Sequence, residues 1–401
     1  MKLFAQHGYS DGQKTAEGLR SAVLDGVIFS PKDIKLAKLQ ETATAIGSEF
    51  PKVERLLDPQ FYAAVLAVDP LCRVGNLEED YATYFQPRRR TQLLSEQRVI
   101  EDLKAALGFQ LHLPLTGLIA PNIVVPRSFD SAEAAIAMDF LRNTAPVARE
   151  LKTRLPVYAT LAVSRDALLD KDELLRFLND VTVLDPAPHG FYVLISANSA
   201  EARTEIFNAD VIAGWMLINH TLGLNGFEVI NGYSDLLTPF LGVAGATAGA
   251  TGWWSNLRTF SLDRFNPPLG GGRLPVERYL SAALLNRVTH YELDVLRRVA
   301  PEAVNGLPTD ELYAGEGSQP QRSKEVLQSW DALRALNQQL ATGDQIGRLR
   351  HCRKAIQLAT QLYAEASARG VSFEPKSNDE HLGELAAGLD LFERLAELDA
   401  R

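Results

Sequence analysis

The chain has 401 residues, 46% of them hydrophobic and 23% charged, which is the composition of a globular protein. Its formal net charge of −9 argues against nonspecific nucleic-acid binding by the whole surface, while leaving a local basic groove open. Two cysteines, Cys72 and Cys352, exclude a disulfide framework and a Cys-rich zinc site; the apolar stretch at the N-terminus is too short for a signal peptide, no apolar run reaches membrane-spanning length, and a cytoplasmic location is expected.

Residues 2–6 read as a first strand, followed by a helix over 12–25, a short buried strand from Gly26 stopped by Pro31, and helical spacing over 34–46. Residues 53–57 form a third strand that runs into Asp58-Pro59-Gln60-Phe61-Tyr62. Residues 63–95 show no period and read as a long loop, which in a compact domain is either functional or the mark of a wrong assignment. A helix over 96–110 follows. Strand and helix then alternate: strands over 117–125, 157–163, 191–196, 227–231 and 246–251, helices over 131–153, 172–184, 209–222 and 235–242, with Asp130 or Ser131 as a candidate cap. After a loop over 255–274, containing Gly270-Gly271-Gly272, the spacing predicts a helix over 275–299. Residues 307–323 read as a linker, and 324–401 as a helical hairpin or small bundle over about 325–341, 345–368 and 379–398.

Short apolar strands without polar alternation are expected where both faces of a parallel sheet are buried. Eight strand–helix units over about 300 residues predict an α/β protein, a (β/α)8 TIM barrel over 1–306 with a C-terminal α-helical appendage; an open doubly wound sheet is the competing plan. A barrel gathers its ligand site at the C-terminal strand ends. The expected rim holds Gln6, His7, Ser10 and Asp11, then Ser30, Lys32 and Asp33, then Asp58, Gln60 and Tyr62. Asn122, Asn231 and Tyr233 to Asp235 come from later strands, with Trp253, Trp254, Asn256 and Arg258 after the last.

Asp58 ends an apolar strand, where a desolvated carboxylate can act as base or nucleophile; Asp-Pro is equally the chemistry of a turn whose carboxylate bonds backbone amides. His7 and Asp11 are the other candidate catalytic groups, His7 as a proton shuttle or as a loop histidine bonding backbone. Gln60, Tyr62, Asn122 and Asn231 can orient a substrate or serve as buried structural groups, and a Trp253 or Trp254 indole can stack on a planar ligand beside Asn256 and Arg258 or simply pack under the next loop. Lys32 and the run Arg88-Arg89-Arg90 can meet phosphate or nucleic acid, or remain solvated. The scattered histidines show no metal-ligand spacing, so no metal and no cofactor are expected.

The stretch Gly-Phe-Glu-Val-Ile-Asn-Gly-Tyr-Ser-Asp-Leu-Leu followed by Gly-Ala-Thr resembles the last two units of tRNA-guanine transglycosylase-like barrels. The resemblance implies base exchange on a nucleobase. The chain departs from it in lacking the family's Cys-rich zinc site and in carrying Gly252-Trp253 where the nucleophilic aspartate is expected. The reading reached is a zinc-free barrel enzyme acting on a planar nitrogenous substrate, by base exchange or glycosyl transfer on a nucleobase, nucleoside or nucleic acid. The alternative is a noncatalytic scaffold that meets a protein partner, or another copy of itself, through 324–401.

Overall fold

The computed structural model describes residues 1–9, 12–200, 203–267, 276–313 and 321–398. Asp11, Ser10 and the glycine run at 270–272 lie outside the described residues. Nine parallel strands build the main sheet: β1 (Lys2–His7), β2 (Gly26–Phe29), β3 (Glu54–Leu57), β4 (Leu118–Ile119), β5 (Val124–Val125), β6 (Val157–Ser164), β7 (Gly190–Ser196), β8 (Glu228–Asn231) and β9 (Ala248–Thr251). Their order is β3-β2-β1-β9-β8-β7-β6-β4, and β5 pairs with β6 beyond β4. β4 and β5 are thus two lengths of one stave. The ladder breaks between them at Pro121, which has no N–H to give, and Asn122 bridges the gap by donating to the Thr160 carbonyl at 2.7 Å. The seam closes where Thr116 N–H reaches the Arg55 carbonyl at 2.9 Å and Arg55 N–H reaches Thr116 Oγ1 at 2.8 Å. The result is a nearly closed eight-strand barrel with helices between its strands.

Alternation along each strand decides what fills the interior. On β1, Phe4 and Gln6 face inward; a Cβ on Gly26 would stand 2.7 Å from the Phe4 ring, so glycine leaves that ring its space. Gly232, just beyond β8, does the same for Tyr192 of β7, whose hydroxyl would lie 2.5 Å from an added Cβ.

The C-terminal region is built onto this barrel. The Arg322–Leu340 helix lies beside the Gln13–Arg20 and Thr238–Val243 helices, where it takes the place of the barrel's last outer helix. Gly18 permits the approach, since a Cβ there would stand 2.9 Å from the Trp330 ring, and Trp330 Nε1 donates to the Thr251 carbonyl at 3.3 Å. The Glu380–Leu395 helix packs on Ala209–Leu224 through Gly388, whose added Cβ would meet Ile212 at 2.8 Å.

The helix expected over 275–299 is corrected. An antiparallel hairpin, β10 (Arg278–Ser281) and β11 (Asn286–Thr289), precedes a shorter helix, His290–Val299. The run Ala282-Ala283-Leu284-Leu285 has helical spacing, but Leu285 turns the chain at φ 50°. Gln328 of the tail holds the hairpin through both its amide groups on Leu280, at 2.9 and 2.8 Å. A tertiary partner overrides local preference there. Of the stretch 307–323, Pro308–Tyr313 is a packed 3-10 helix whose buried Tyr313 donates to the Arg278 carbonyl at 3.0 Å.

Candidate active site at the barrel mouth and its adjoining cleft

Asp58 follows β3 into the barrel mouth, where it is 1% exposed. Its Oδ1 accepts from Gln60 N–H at 3.0 Å, the turn chemistry expected of Asp-Pro. Its Oδ2 accepts from three phenols: Tyr62 at 2.9 Å, Tyr192 at 3.4 Å and Tyr233 at 3.5 Å. Burial, by denying water to the charged form, raises the carboxyl to about 6, against the pull of the Gln60 and Tyr62 bonds. The same burial, reinforced by the Asp58 charge, drives Tyr62 and Tyr192 well above the usual phenol range, so both remain neutral donors.

Above this cage sits Arg264, from the 3-10 turn Leu262–Phe265 in the loop after β9. It donates to Tyr233 Oη at 3.0 Å and to Asp33 Oδ2 at 2.5 Å. Burial works against its charge, but the Tyr233 oxygen and Asp33 more than offset that and hold the guanidinium above its ordinary range. Phe260 and Phe265 pack edge-on to Tyr62. Lys32 belongs to the same corner: its N–H donates to Gln60 Oε1 at 2.9 Å and its Nζ stands 3.7 Å from Asp33. On one side the 63–95 segment walls the mouth, with Tyr84 donating to the Pro59 carbonyl at 3.1 Å.

Beside the mouth opens a cleft of about 710 Å³, within the usual range for small-molecule sites. Its floor is the C-terminal edge of β8 and β9, with Tyr233, Asp235, Trp253, Trp254 and Arg258; its far wall is Arg278 and Arg287 of the hairpin, Arg322, and Lys376. Among the described residues, Tyr233 alone both lines this cleft and bonds Asp58. Its backbone is held in the left-handed region at φ 54°, as are Asp235 at φ 39° and Gln60 at φ 52°. Non-glycine residues pay for that conformation, and here three of them cluster where the strands end. Asp235 is fixed by both Arg287 Nη atoms, at 2.5 and 2.7 Å, and by the Thr251 hydroxyl at 2.7 Å. Burial would raise its carboxyl, yet the Arg287 charge outweighs that and holds it below the usual range.

Several buried polar atoms around these two chambers have no partner among the described residues: Gln6 Oε1, Gln60 Nε2 and Arg264 Nε at the mouth, Trp253 Nε1 and Arg287 Nε at the cleft. Each costs about 1–3 kcal/mol when dry, and such costs concentrate at functional sites.

Other expected rim residues go elsewhere. His7 is buried between Phe29 and Trp253, its ring edge-on to the indole at 5.5 Å. Asn122 spends its amide on the Thr160 and Ala137 carbonyls and on Ile123 N–H. Asn231 faces outward, bonded to Trp215 at 2.6 Å and to Asn219 at 2.7 Å, so it braces β8 against its helix. Asn256 is not among the cleft-lining residues. The arginine run is divided: Arg88 forms an ion pair with buried Asp102 at 2.7 Å, Arg90 pairs with Glu133 at 2.7 Å, and Arg89 is exposed. Tyr192, Arg264 and the hairpin arginines escaped the sequence reading. Tyr192 sits in a strand apolar on both faces, which hides the inward side, and the others join the site only through tertiary packing.

Among the described residues, no three His, Cys, Asp or Glu side chains are grouped to hold a metal ion, and no helix is long and apolar enough to cross a membrane. No family model matches the chain, and no curated protein matches it. Among solved structures, it is similar to a mandelate racemase/muconate lactonizing family protein from Azoarcus sp. EbN1, at 12% identity over 66% of this chain and 50% of that one, with a TM-score of 0.30. It is also similar to dihydrodipicolinate synthase from Oceanobacillus iheyensis, at 10% identity over 97% and 95% of the two chains, with a TM-score of 0.22. The match spans half the length of the first protein. Neither points to the transglycosylases, and the barrel is established by its own strand order and register.

Proposed function

We propose that this chain is a barrel enzyme that binds a planar, nitrogen-containing substrate in the cleft and moves a proton between that substrate and Asp58 through Tyr233. The observation that carries the reading is the position of Tyr233, a cleft-lining residue whose hydroxyl reaches a carboxylate raised to about 6. A group titrating near neutral pH gives and takes protons efficiently. Asp58 serves here as proton reservoir rather than nucleophile, because its oxygens already accept four hydrogen bonds and it does not line the cleft. Trp254 lines the cleft with the Arg322 guanidinium 5.3 Å over one face of its ring, and the heteroaromatic ring would stack on the other face.

The reaction assigned is base exchange or glycosyl transfer on a nucleobase or nucleoside. The C–N bond breaks with its electron pair passing to the base nitrogen, which takes the Tyr233 proton; Asp58 reloads the phenol. The incoming base nitrogen or water bonds the sugar carbon and returns its own proton to the relay.

Mass spectrometry of small molecules that copurify with the full chain supplies the substrate, and turnover is then compared in Tyr233→Phe. The variant is expected to lose about 10²- to 10⁴-fold in kcat, the range for a general acid–base group. Unchanged kcat in a folded variant removes the relay.

A further inference from the structure

The cleft's far wall is cationic in a way that stacking and proton transfer do not require. Arg278, Arg287, Arg322 and Lys376 line it and Arg258 adds a fifth cation from the floor, against Asp235 and Glu374 as the lining carboxylates among the described residues. The arginines are braced by acids: buried Glu325 bonds Arg258 at 3.0 Å and also pairs with Arg322, Glu277 stands 3.2 Å from Arg322, and Glu374 accepts from Arg278 at 2.8 Å. The Arg278 Nη1 atom is fixed as well, donating to Ser377 Oγ at 2.7 Å. Guanidiniums held this way are set before any ligand arrives, so binding does not cost their rotamer entropy.

Two cations are also closer than they would choose to be. Burial lowers the affinity of Arg258 for its proton, and the Arg287 charge lowers it further. Arg287 keeps a buried Nε with no partner among the described residues, although both its Nη atoms are used by Asp235. A cavity that crowds four arginines and a lysine is complementary to an oxyanion.

We propose that the hairpin and tail form a phosphate-binding subsite in this cleft, and that the substrate is a phosphate monoester such as a nucleoside monophosphate. A planar ring on Trp254 and a dianion on the arginine wall would together occupy a chamber of about 710 Å³, within the range of small-molecule sites. This assignment rests on the proposed planar substrate, and the subsite itself can be tested apart from it.

Calorimetric titration of the full chain with each common nucleoside, its 5′-monophosphate, ribose 5-phosphate and a 3′,5′-linked dinucleotide, at fixed ionic strength, separates the two. At least one monophosphate is expected to bind about ten- to hundredfold more tightly than its nucleoside, the range for one or two charge-assisted hydrogen bonds. The gap is expected to close in Lys376→Ala, an exposed position that leaves folding intact, and in Arg322→Gln checked by circular dichroism, with nucleoside affinity retained in Lys376→Ala. Equal affinities for nucleoside and monophosphate would overturn the subsite and leave the proposed function standing. Ribose 5-phosphate binding as tightly as any monophosphate would support the subsite and overturn the planar substrate. A dinucleotide binding as tightly as the monophosphate would overturn the monoester assignment, and no binding by any probe would overturn both.

Discussion

Two aspartates on this barrel's rim, Asp58 buried and Asp235 half-buried, are pushed in opposite directions. Asp58, ringed by phenols and one backbone amide, is raised to about 6; Asp235, gripped by both Nη atoms of Arg287, is held below the ordinary carboxylate range. Burial acts on both, so the partner decides the sign. Neutral donors stabilise a carboxylate less than burial penalises it, whereas a desolvated guanidinium stabilises it more. The mouth thus stores a proton near neutral pH, and the cleft stores fixed charge.

The largest effect expected from breaking this contrast lies behind the cleft. Glu325→Ala leaves Arg258 and Arg322 without their shared carboxylate and is expected to cost about 3–5 kcal/mol in urea unfolding. An unchanged midpoint and slope would show that the wall is not braced by this acid.

The mouth predicts an unusual pH dependence. A carboxyl whose folded value lies above its unfolded value binds its proton more tightly in the folded state. Its contribution is therefore most favourable below about pH 4, declines as pH rises from about 4 to 6, and is flat above that. A shift from 3.8 to about 6 corresponds to roughly 3 kcal/mol. The stability difference between Asp58→Asn and the natural chain is expected to grow in favour of the variant by that order over this window, read from denaturation at each pH. Asp235 carries the opposite sign: its contribution is present above about pH 4 and lost as pH falls further, so a slope confined to the 4–6 window isolates Asp58.

A smaller effect comes from the glycine that makes room for the cage. Gly232→Ala forces a methyl into Tyr192 Oη and Leu194 and is expected to cost about 1–3 kcal/mol, with a shift in the Asp58 titration followed by carboxyl NMR. Smallest of all, Val276→Ala, on the open cleft wall and 46% exposed, is expected to change stability by less than about 0.5 kcal/mol. A large loss there would mean that the cleft wall is packed as tightly as the mouth.

Part of this site was legible in the sequence. Asp58-Pro59 at the end of an apolar strand marked both the turn and the desolvated acid, and both descriptions hold at once. Gln60, Tyr62 and Lys32 follow Asp58 into one corner because they sit on neighbouring strand ends. Asn122 and Asn231 carry the same residue type as a substrate-reading amide, yet one mends a proline break and the other braces a helix. Side-chain chemistry does not encode which way a residue faces in a strand buried on both sides. Arg88 belongs to a basic run in sequence, but a single buried acid fourteen residues away takes it out of that run.

The sequence by itself determined the alternation of strands and helices, the barrel, and the strand ends where polar side chains collect, because these follow from local period and from the short range of turn chemistry. Tertiary structure alone decided that three tyrosines share one carboxylate, that Arg264 sits over the mouth, and that the hairpin and the tail together supply the cleft's cationic wall. Those pairings join residues up to 231 positions apart, and only the closed barrel with the Arg322–Leu340 helix at its side brings them within hydrogen-bonding distance.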